Sequence, residues 1–405
     1  MLSMEEARTG ILSAARPLVG TETIPLHTAA RRILAAPVLS DMNVPPVDNS
    51  AMDGYAVRNI EQNHIQLPVS ACIYAGDMPC ALATGTAARI FTGAPIPLGA
   101  DTVVMQENVS LFDDNIHINT AAKTGANIRR RGEDIQIQQA IFDAGHFLRA
   151  QDIGLLASVG RAAVSVQKKL RVGLLCTGDE LQEPGTALEA GKIYNSNRYL
   201  LMALLADLGC EVVDAGMVRD DLTATKNALR TLAEKSDVLI STGGVSVGHA
   251  DYVKTAVQSL GRLDVWKVAI KPGKPLAFGE VCGTQFFGLP GNPVSAFVTF
   301  LLFVHPFLCV AQGGAVRELP RVPVRATFAW PTAARNIYGR SYTLIITARC
   351  VLFSTQTKVL ACYRRRAGQT RSCACRPQRR LASKKIKRWM PCCYKKLLYG
   401  QPYIF

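Results

Sequence analysis

Three loops in the second half of the chain carry residues whose types and spacing suit chemistry on an anion. Lys271-Pro272-Gly273-Lys274-Pro275 sets two ammonium groups in a loop stiffened by prolines. Two such cations repel, and an anion between them removes the repulsion. Ser241 to Gly248 reads STGGVSVG; its glycines let the backbone approach a ligand closely and leave amides free to face it. The segment lacks the lysine of a phosphate-binding P-loop and the dinucleotide spacing, so a plain tight turn remains the other reading. Pro290-Gly291-Asn292-Pro293-Val294-Ser295 predicts a helix start, with Asn292 as N-cap and Pro293 at the first helical position. Such a start is expected to offer unpaired N–H groups and a partial positive charge, to which Ser295 adds a hydroxyl.

Acidic residues stand in the neighbouring loops: Asp179 and Glu180 after Thr177-Gly178, Asp220 and Asp221 after Arg219, and Asp251. Asp221 also suits a simple helix cap. Carboxylates gathered without a lysine for each repel one another, and Mg²⁺ shared with substrate oxygens relieves that. Two more clusters lie earlier: Asn49 to Ala56 (NSAMDGYA) and Arg129 to Asp134 (RRRGED). By themselves they read as an exposed turn and a surface charge network of small energetic consequence.

The elements that must hold these loops follow from periodicity. Residues 4–40 read as helical, interrupted at Ile24 and Pro25, with a second run from Thr28 to Ala35. From residue 41 to 143 short β-like runs (Ala71 to Ala75, Ala88 to Thr92, Thr102 to Gln106, Asn115 to Asn119) alternate with Gly, Pro and Asn turns, predicting a β-rich domain. Residues 148–166 read as helix, then strand, pairing with the N-terminal segment. From Arg171 the rhythm is strand, loop, helix: Val172 to Cys176, Ser196 to Leu208, Glu211 to Met217, Leu222 to Glu234, Asp237 to Ser241, Tyr252 to Leu260, Val265 to Ile270. That pattern predicts an α/β domain with a parallel sheet covered on both faces, with ligands at the carboxyl ends of its strands. The expected organisation of this multidomain α/β chain is an N-terminal rod unit (1–40 plus 144–168), a β-rich unit (41–143), an α/β unit (169–311) and a C-terminal remainder (312–405).

The totals fit a multidomain protein of 405 residues, 48% hydrophobic and 19% charged. The net charge of +15 describes only the tail. From Arg335 onward there are 17 Lys and Arg and no Asp or Glu, leaving 29 basic against 31 acidic residues before it. The body is close to neutral, which removes the charge argument for a nucleic-acid or membrane partner there. Cys176 and Cys309 sit in apolar runs and read as buried reduced thiols of a cytosolic protein. MLSMEEARTG is acidic without an apolar region, so no secretory signal is expected. The apolar run Ala296 to Ala311 contains His305 and Pro306 and reads as a buried helix rather than a membrane span.

Taken together, NSAMDGYA, FTGAPIP (Phe91 to Pro97), RRRGED, TGDEL, STGGVSVGHADY, KPGKP and GLPGNPVSA resemble the molybdopterin molybdenumtransferases, the MoeA and gephyrin E-domain type, over roughly four-fifths of the chain, to about Pro320. The resemblance implies a homodimer of four-domain subunits that inserts molybdenum from molybdate into adenylylated molybdopterin, releasing AMP with the help of Mg²⁺. It implies a site shared between subunits, with Asp53, Thr92 and Asp134 from one and Glu180, Asp220, Asp251, Lys271, Lys274 and Ser295 from the other. On this basis Lys271, Lys274 and Ser295 are expected to hold molybdate, Asp220 and Asp251 to lie in the Mg²⁺ and pyrophosphate region, and Glu180 to hold the pterin or act as general base. Asp53 and Asp134 are grouped with Glu180 and the two lysines as catalytic, and Thr92, Arg131, Gly243, Gly244, Ser246 and Pro275 with Ser295 as substrate-binding. The partners expected are molybdopterin, molybdate and other proteins of the molybdenum cofactor pathway.

The family ends in a small β-barrel of mixed charge. Here only Val322 to Thr327 suggests its start, and from Arg335 the pattern is lost. The tail reads as a shift of frame near residue 335, against a basic RNA- or membrane-binding extension and a metal site at Cys373 and Cys375, whose spacing is wrong for zinc. An incomplete barrel would leave the molybdate site unfinished at that end. The competing functions are therefore a pterin-binding scaffold dimer without turnover and a related α/β enzyme that adenylylates molybdopterin, which has no need of the β-rich domain.

Overall fold

The structure is a computed structural model and describes residues 2–61, 66–78, 81–244, 252–270, 275–316, 321–322 and 344–345. The chain forms two units, residues 20–168 and the combination of 1–19 with 169–405.

The second of these is the α/β unit. Its strands are β1 (Arg171–Thr177), β2 (Glu211–Val218), β3 (Val238–Thr242), β4 (Gly261–Lys267), β5 (Pro275–Val281) and β6 (Thr284–Leu289), in the sheet order β2-β1-β3-β6-β5-β4. The pairs β2-β1, β1-β3 and β3-β6 are parallel, whereas β6-β5 and β5-β4 are antiparallel. The expectation of a parallel sheet therefore holds for four strands and is corrected at one edge. The reason is a tight hairpin: Cys282 and Gly283 both take positive φ, 50° and 84°, the two-residue turn that suits antiparallel strands. The strand expected at Val265 to Ile270 begins earlier, at Gly261, directly after the helix Tyr252–Leu260.

Each strand of this sheet sends alternate side chains to opposite faces. Val172, Leu174, Cys176, Phe287 and Leu289 pack with Leu201 and Leu205 on one face, and Leu175, Leu239 and Phe286 pack with Leu229, Leu232 and Val253 on the other. Helix α2 (Ser196–Asp207) supplies Leu201 and Leu205, and α3 (Leu222–Lys235) supplies Leu229 and Leu232. The apolar run is a 19-residue helix, Pro293–Ala311, with a π turn at Phe300–Val304. It is long and apolar enough to cross a membrane by length, but its Phe300, Phe303, Val304, Phe307 and Leu308 are all buried in this core. Phe307 meets Phe287 and Phe278 edge-on at 5.0 and 5.9 Å between ring centroids, the packing preferred by aromatic quadrupoles.

The opening helix, α1 (Met4–Ser13), is closed by a capping box between Ser3 and Glu6. Its Ala7 and Ile11 enter the α/β core, and Leu18 N–H donates to the Ala311 carbonyl at 2.9 Å. Residues 1–19 thus belong with the α/β unit and not with residues 20–40. The helical reading of residues 20–40 is also corrected: Thr21–Pro25 is a strand paired antiparallel with Ala163–Gln167. Its β-branched Thr21, Thr23 and Ile24 favour that geometry.

Residues 20–168 contain the β-rich sheet, six strands in the spatial order Thr102–Met105, Gly54–Val57, Ala87–Ile90, Leu67–Ile73, Asn115–Ile118, Val109–Phe112. The four strands read from the sequence are all present, with ends shifted by up to four residues. Of the expected C-terminal barrel, the described residues include one antiparallel pair, Arg321–Val322 with Leu344–Ile345; the rest of the tail, including Cys373 and Cys375, lies outside them.

Candidate active site

At the carboxyl edge of the α/β sheet, β3 ends at Thr242 and the chain turns through Gly243 and Gly244 with φ of +92° and +63°. An added Cβ on Gly243 would stand 2.7 Å from the Thr177 carbonyl oxygen, and one on Gly244 2.5 Å from Val253 Cγ2. Only glycine fits both the torsion and the space. The Thr177 hydroxyl, buried at the end of β1, faces this double glycine without a hydrogen-bond partner among the described residues.

Beyond β6 the chain passes through Pro290 and Gly291 into the 19-residue helix. Asn292 caps it as expected, its Oδ1 accepting from the N–H groups of Val294 at 3.1 Å and Ser295 at 3.2 Å. This corrects one expectation: those two N–H groups are satisfied by the cap. What the helix start offers a ligand is its dipole and the side chain of Ser295, which is 5% exposed. A Cβ on Gly291 would lie 3.8 Å from Gly243 Cα, so the two turns pass within about one methyl group of each other.

Towards the other side of the same edge, Asp179 and Asp220 face each other. The Asp179 N–H donates to Asp220 Oδ2 at 3.4 Å and the Asp220 N–H to Asp179 Oδ1 at 3.3 Å. Lys192 Nζ donates to the Asp179 carbonyl. Burial pushes the Asp220 carboxyl up, and the charges of Asp179 and Glu180 push the same way against the Asp179 N–H, which pulls it down. Asp221 caps α3 through a 2.7 Å bond from the Ala224 N–H, which accounts for that carboxylate structurally. Pro275 opens β5 opposite Lys267. Ser246, Asp251, Lys271 and Lys274 lie outside the described residues.

In the β-rich unit, Asp53 Oδ1 accepts from both the N–H and the hydroxyl of Thr92, each at 2.8 Å. These bonds hold the Asp53 carboxyl below the usual range, with a smaller contribution from the Arg89 charge. Arg89 lies between the rings of Tyr55 and Phe91, 5.0 and 4.9 Å from their centroids, and donates to Gln106 Oε1 at 2.6 Å. RRRGED comes to the same place because Arg129 pairs with Asn49 and Ile128 with Ser50. Arg129 bonds Asp134, and Arg130 Nη1 and the Arg131 N–H donate to the two oxygens of Asp48 at 2.7 and 2.8 Å. The network expected from the charges alone exists and ties RRRGED to Asp48, while NSAMDGYA is held to FTGAPIP by the Asp53–Thr92 bonds and by the backbone bonds from Ser50 N–H to the Ala94 carbonyl at 2.9 Å and from Gly93 N–H to the Ser50 carbonyl at 2.8 Å. Among the described residues the Arg131 guanidinium makes no hydrogen bond or ion pair, and none of their His, Cys, Asp and Glu side chains form a metal-ligand group of three or more.

Several residues of these sites were not singled out in the sequence: Thr177, Asn197, Thr242, Asp48 and Arg89. Asn195-Ser196-Asn197 held a signal, since α2 needs only one N-cap and Asn195 supplies it, accepting from the Arg198 N–H at 3.2 Å. The second asparagine is surplus to capping. Cys176, buried under α2, has its thiol pushed up to about 12 by desolvation, the inert thiol expected from its apolar run.

Two protein families match these units: the "MoeA N-terminal region (domain I and II)" over residues 2–160 and the "Probable molybdopterin binding domain" over residues 173–309. Sheet edge, double-glycine turn and both matches together define an α/β protein of molybdenum cofactor biosynthesis. The chain is 43% identical over 316 residues to the molybdopterin molybdenumtransferase of Haemophilus influenzae, covering 77% of this chain and 78% of that one. It is 34% identical over 349 residues to the Staphylococcus aureus molybdopterin molybdenumtransferase, covering 84% and 81%. A crystal structure of the molybdopterin biosynthesis MoeA protein of Pyrococcus horikoshii superposes with a TM-score of 0.66 at 31% identity, covering 80% of this chain and 82% of that one. The chain belongs to the molybdopterin molybdenumtransferase family, and it is a transferase.

Proposed function

We propose that this chain inserts molybdenum from molybdate into adenylylated molybdopterin and releases AMP in a Mg²⁺-assisted reaction. The observation that carries the reading is the unbroken edge from Asp220 and Asp179, past the double glycine at Gly243, to Ser295. A carboxylate pair stands at one end of it and an anion-favouring helix start at the other. A pyrophosphate-bearing substrate and a tetrahedral oxyanion need both.

The residues fit Mg²⁺. This ion takes one or two carboxylates and completes its shell with water and phosphate oxygens, so the absence of a three-residue group among the described residues is no obstacle. Asp220, its carboxyl pushed up by burial and like charge, is where a divalent cation relieves repulsion, with Asp179 beside it and Asp251 as the further expected ligand. Bound there, Mg²⁺ neutralises charge on the pyrophosphate of the substrate. Lys271, Lys274 and the Ser295 hydroxyl donate to molybdate oxygens, and charge-assisted bonds of this kind are the strong ones. Glu180, exposed beside Asp179, holds the pterin or takes a proton from the dithiolene. Asp53, kept ionised by Thr92, acts with Asp134 and Arg131 from a second copy of the chain in a homodimer working in the cytoplasm. The test is Lys274→Ala and Asp251→Ala: AMP release and molybdenum insertion unchanged in both contradict the assignment.

A second reading is favoured by the loss of acidic residues after Arg335, which we attribute to a frame shift: a dimer that binds the pterin without turnover. Binding of adenylylated molybdopterin with no AMP released supports it. An uninterrupted reading frame in the source DNA contradicts the frame shift.

A further inference from the structure

Asn197 is a buried amide, 8% exposed, in the first turn of α2. Its two amide hydrogens go to two different loops. One is donated to the Thr242 hydroxyl at 2.8 Å and the other to the Gly291 carbonyl at 2.8 Å. Thr242 immediately precedes the double glycine and Gly291 immediately precedes the Asn292 cap. The Thr242 hydroxyl in turn donates to the Pro290 carbonyl at 3.4 Å, and the Gly243 N–H to the Leu289 carbonyl at 3.3 Å. Every link therefore runs between the end of β3 and the entry to the 19-residue helix, with Asn197 as the clasp.

Stability alone does not account for this choice. Among the described residues the Asn197 Oδ1 is buried with no hydrogen-bond partner, and a buried acceptor left unsatisfied is destabilising where an apolar side chain of similar volume is not. On the other side of the glycine turn the Thr177 hydroxyl is likewise buried and, among the described residues, unpartnered. Two such groups on either side of one glycine turn mark a place where local stability has yielded to a geometric requirement.

We propose that Asn197 is a positioning residue that fixes the distance between the Gly243–Gly244 turn and the helix start bearing Ser295, so that both act on the same oxyanion. This rests on the reading above that the edge receives molybdate. Asn197 touches neither substrate nor reacting atoms in this assignment; it acts through the two loops.

Two near-isosteric substitutions separate the arms of the clasp. In Thr242→Val the Thr242 arm is lost and the Gly291 arm is kept. In Asn197→Asp the Thr242 hydroxyl can reverse and donate to the carboxylate, whereas the Gly291 carbonyl then faces an oxygen that carries no hydrogen. The full-length variants are compared with wild type for molybdate-dependent AMP release and, separately, for calorimetric binding of molybdate alone. The expected result is a rise of about tenfold in both KM and Kd for molybdate in each variant, the size set by one misplaced hydrogen bond. The kcat at saturating molybdate is expected to stay within about twofold of wild type, because only the approach of the loops has changed.

Thr242→Val keeps the volume of the site and serves as the deciding variant if Asn197→Asp does not fold. Wild-type Kd and KM in a folded variant overturn the proposal, as does a fall in kcat with KM unchanged, which is the signature of a merely structural amide. A wild-type protein that does not bind molybdate at all also overturns it. If wild type binds molybdate without releasing AMP, the transferase reading fails on its own, and the Kd ratio still decides the role of Asn197.

Discussion

Asp53 and Thr92, 39 residues apart, meet through two hydrogen bonds to a single carboxylate oxygen, one from the Thr92 N–H and one from its hydroxyl, both 2.8 Å. Double donation to the charged form makes Asp53 a stronger acid than an ordinary aspartate. It also pins the NSAMDGYA turn to FTGAPIP, so that the carboxylate stands in a fixed place on an exposed surface.

The hydroxyl is removable without the backbone donor. Thr92→Val is expected to raise the Asp53 pKa towards the ordinary value. The folded pKa is depressed, so the ionised form is lost as pH falls through it; raising it moves that loss to higher pH. The acid limb of the profile of AMP release against pH should therefore shift upward. An unmoved acid limb would show that Asp53 ionisation does not limit the reaction.

Asp220 gives the opposite sign. Its carboxyl is raised by burial and by Asp179 and Glu180, so its contribution to stability is fully present below the unfolded pKa and is lost as pH rises through the folded one. Near neutral pH the ionised group opposes folding, and Asp220→Asn should melt higher than wild type in the absence of Mg²⁺. The same variant should need about tenfold more Mg²⁺ for half-maximal activity, the order of effect expected when an ion loses one of one or two carboxylates. A variant that melts lower, or that keeps its Mg²⁺ requirement, contradicts this account of the carboxylate pair.

Gly243 tests the strand edge. With φ at +92° and the Thr177 carbonyl 2.7 Å from any Cβ, Gly243→Ala is expected to cost about 1–3 kcal/mol, the range for a non-glycine residue forced into such backbone. Urea unfolding measures it, and a midpoint equal to wild type would mean the turn opens freely.

Asn292 accepts from two N–H groups of the first helical turn. Replacing it by Ala should cost about 1 kcal/mol, the usual value for a lost N-cap. Circular dichroism during denaturation reads the change. No change would mean the helix start is held by Pro293 and packing alone.

The sequence made the parallel core legible because its strands are continuous apolar runs between amphipathic helices, as Val172 to Cys176 and Leu222 to Glu234 show. It did not reveal the hairpin Pro275–Leu289, whose turn is Cys282-Gly283 rather than a familiar Asn-Gly pair, nor the strand at Thr21, hidden among residues of helical texture. Residue types pointed to the loops at Asp179, Asp220, Gly243 and Ser295, which the structure brings to one sheet edge, since glycine pairs and carboxylates announce their chemistry; Lys271 and Lys274 lie outside the described residues. The contacts that organise those loops were not legible. Asn197 reaches Thr242 and Gly291 across 45 and 94 residues, and Arg130 reaches Asp48 across 82. Such partners are set by the packing of the sheet, which local patterns do not encode.

The most direct measurement of the central claim is release of AMP by the purified full-length chain given adenylylated molybdopterin and Mg²⁺, with and without molybdate. The account predicts AMP release only when molybdate is present, accompanied by molybdenum bound to the pterin. Release that ignores molybdate, or no release from a protein that binds the substrate, would contradict it.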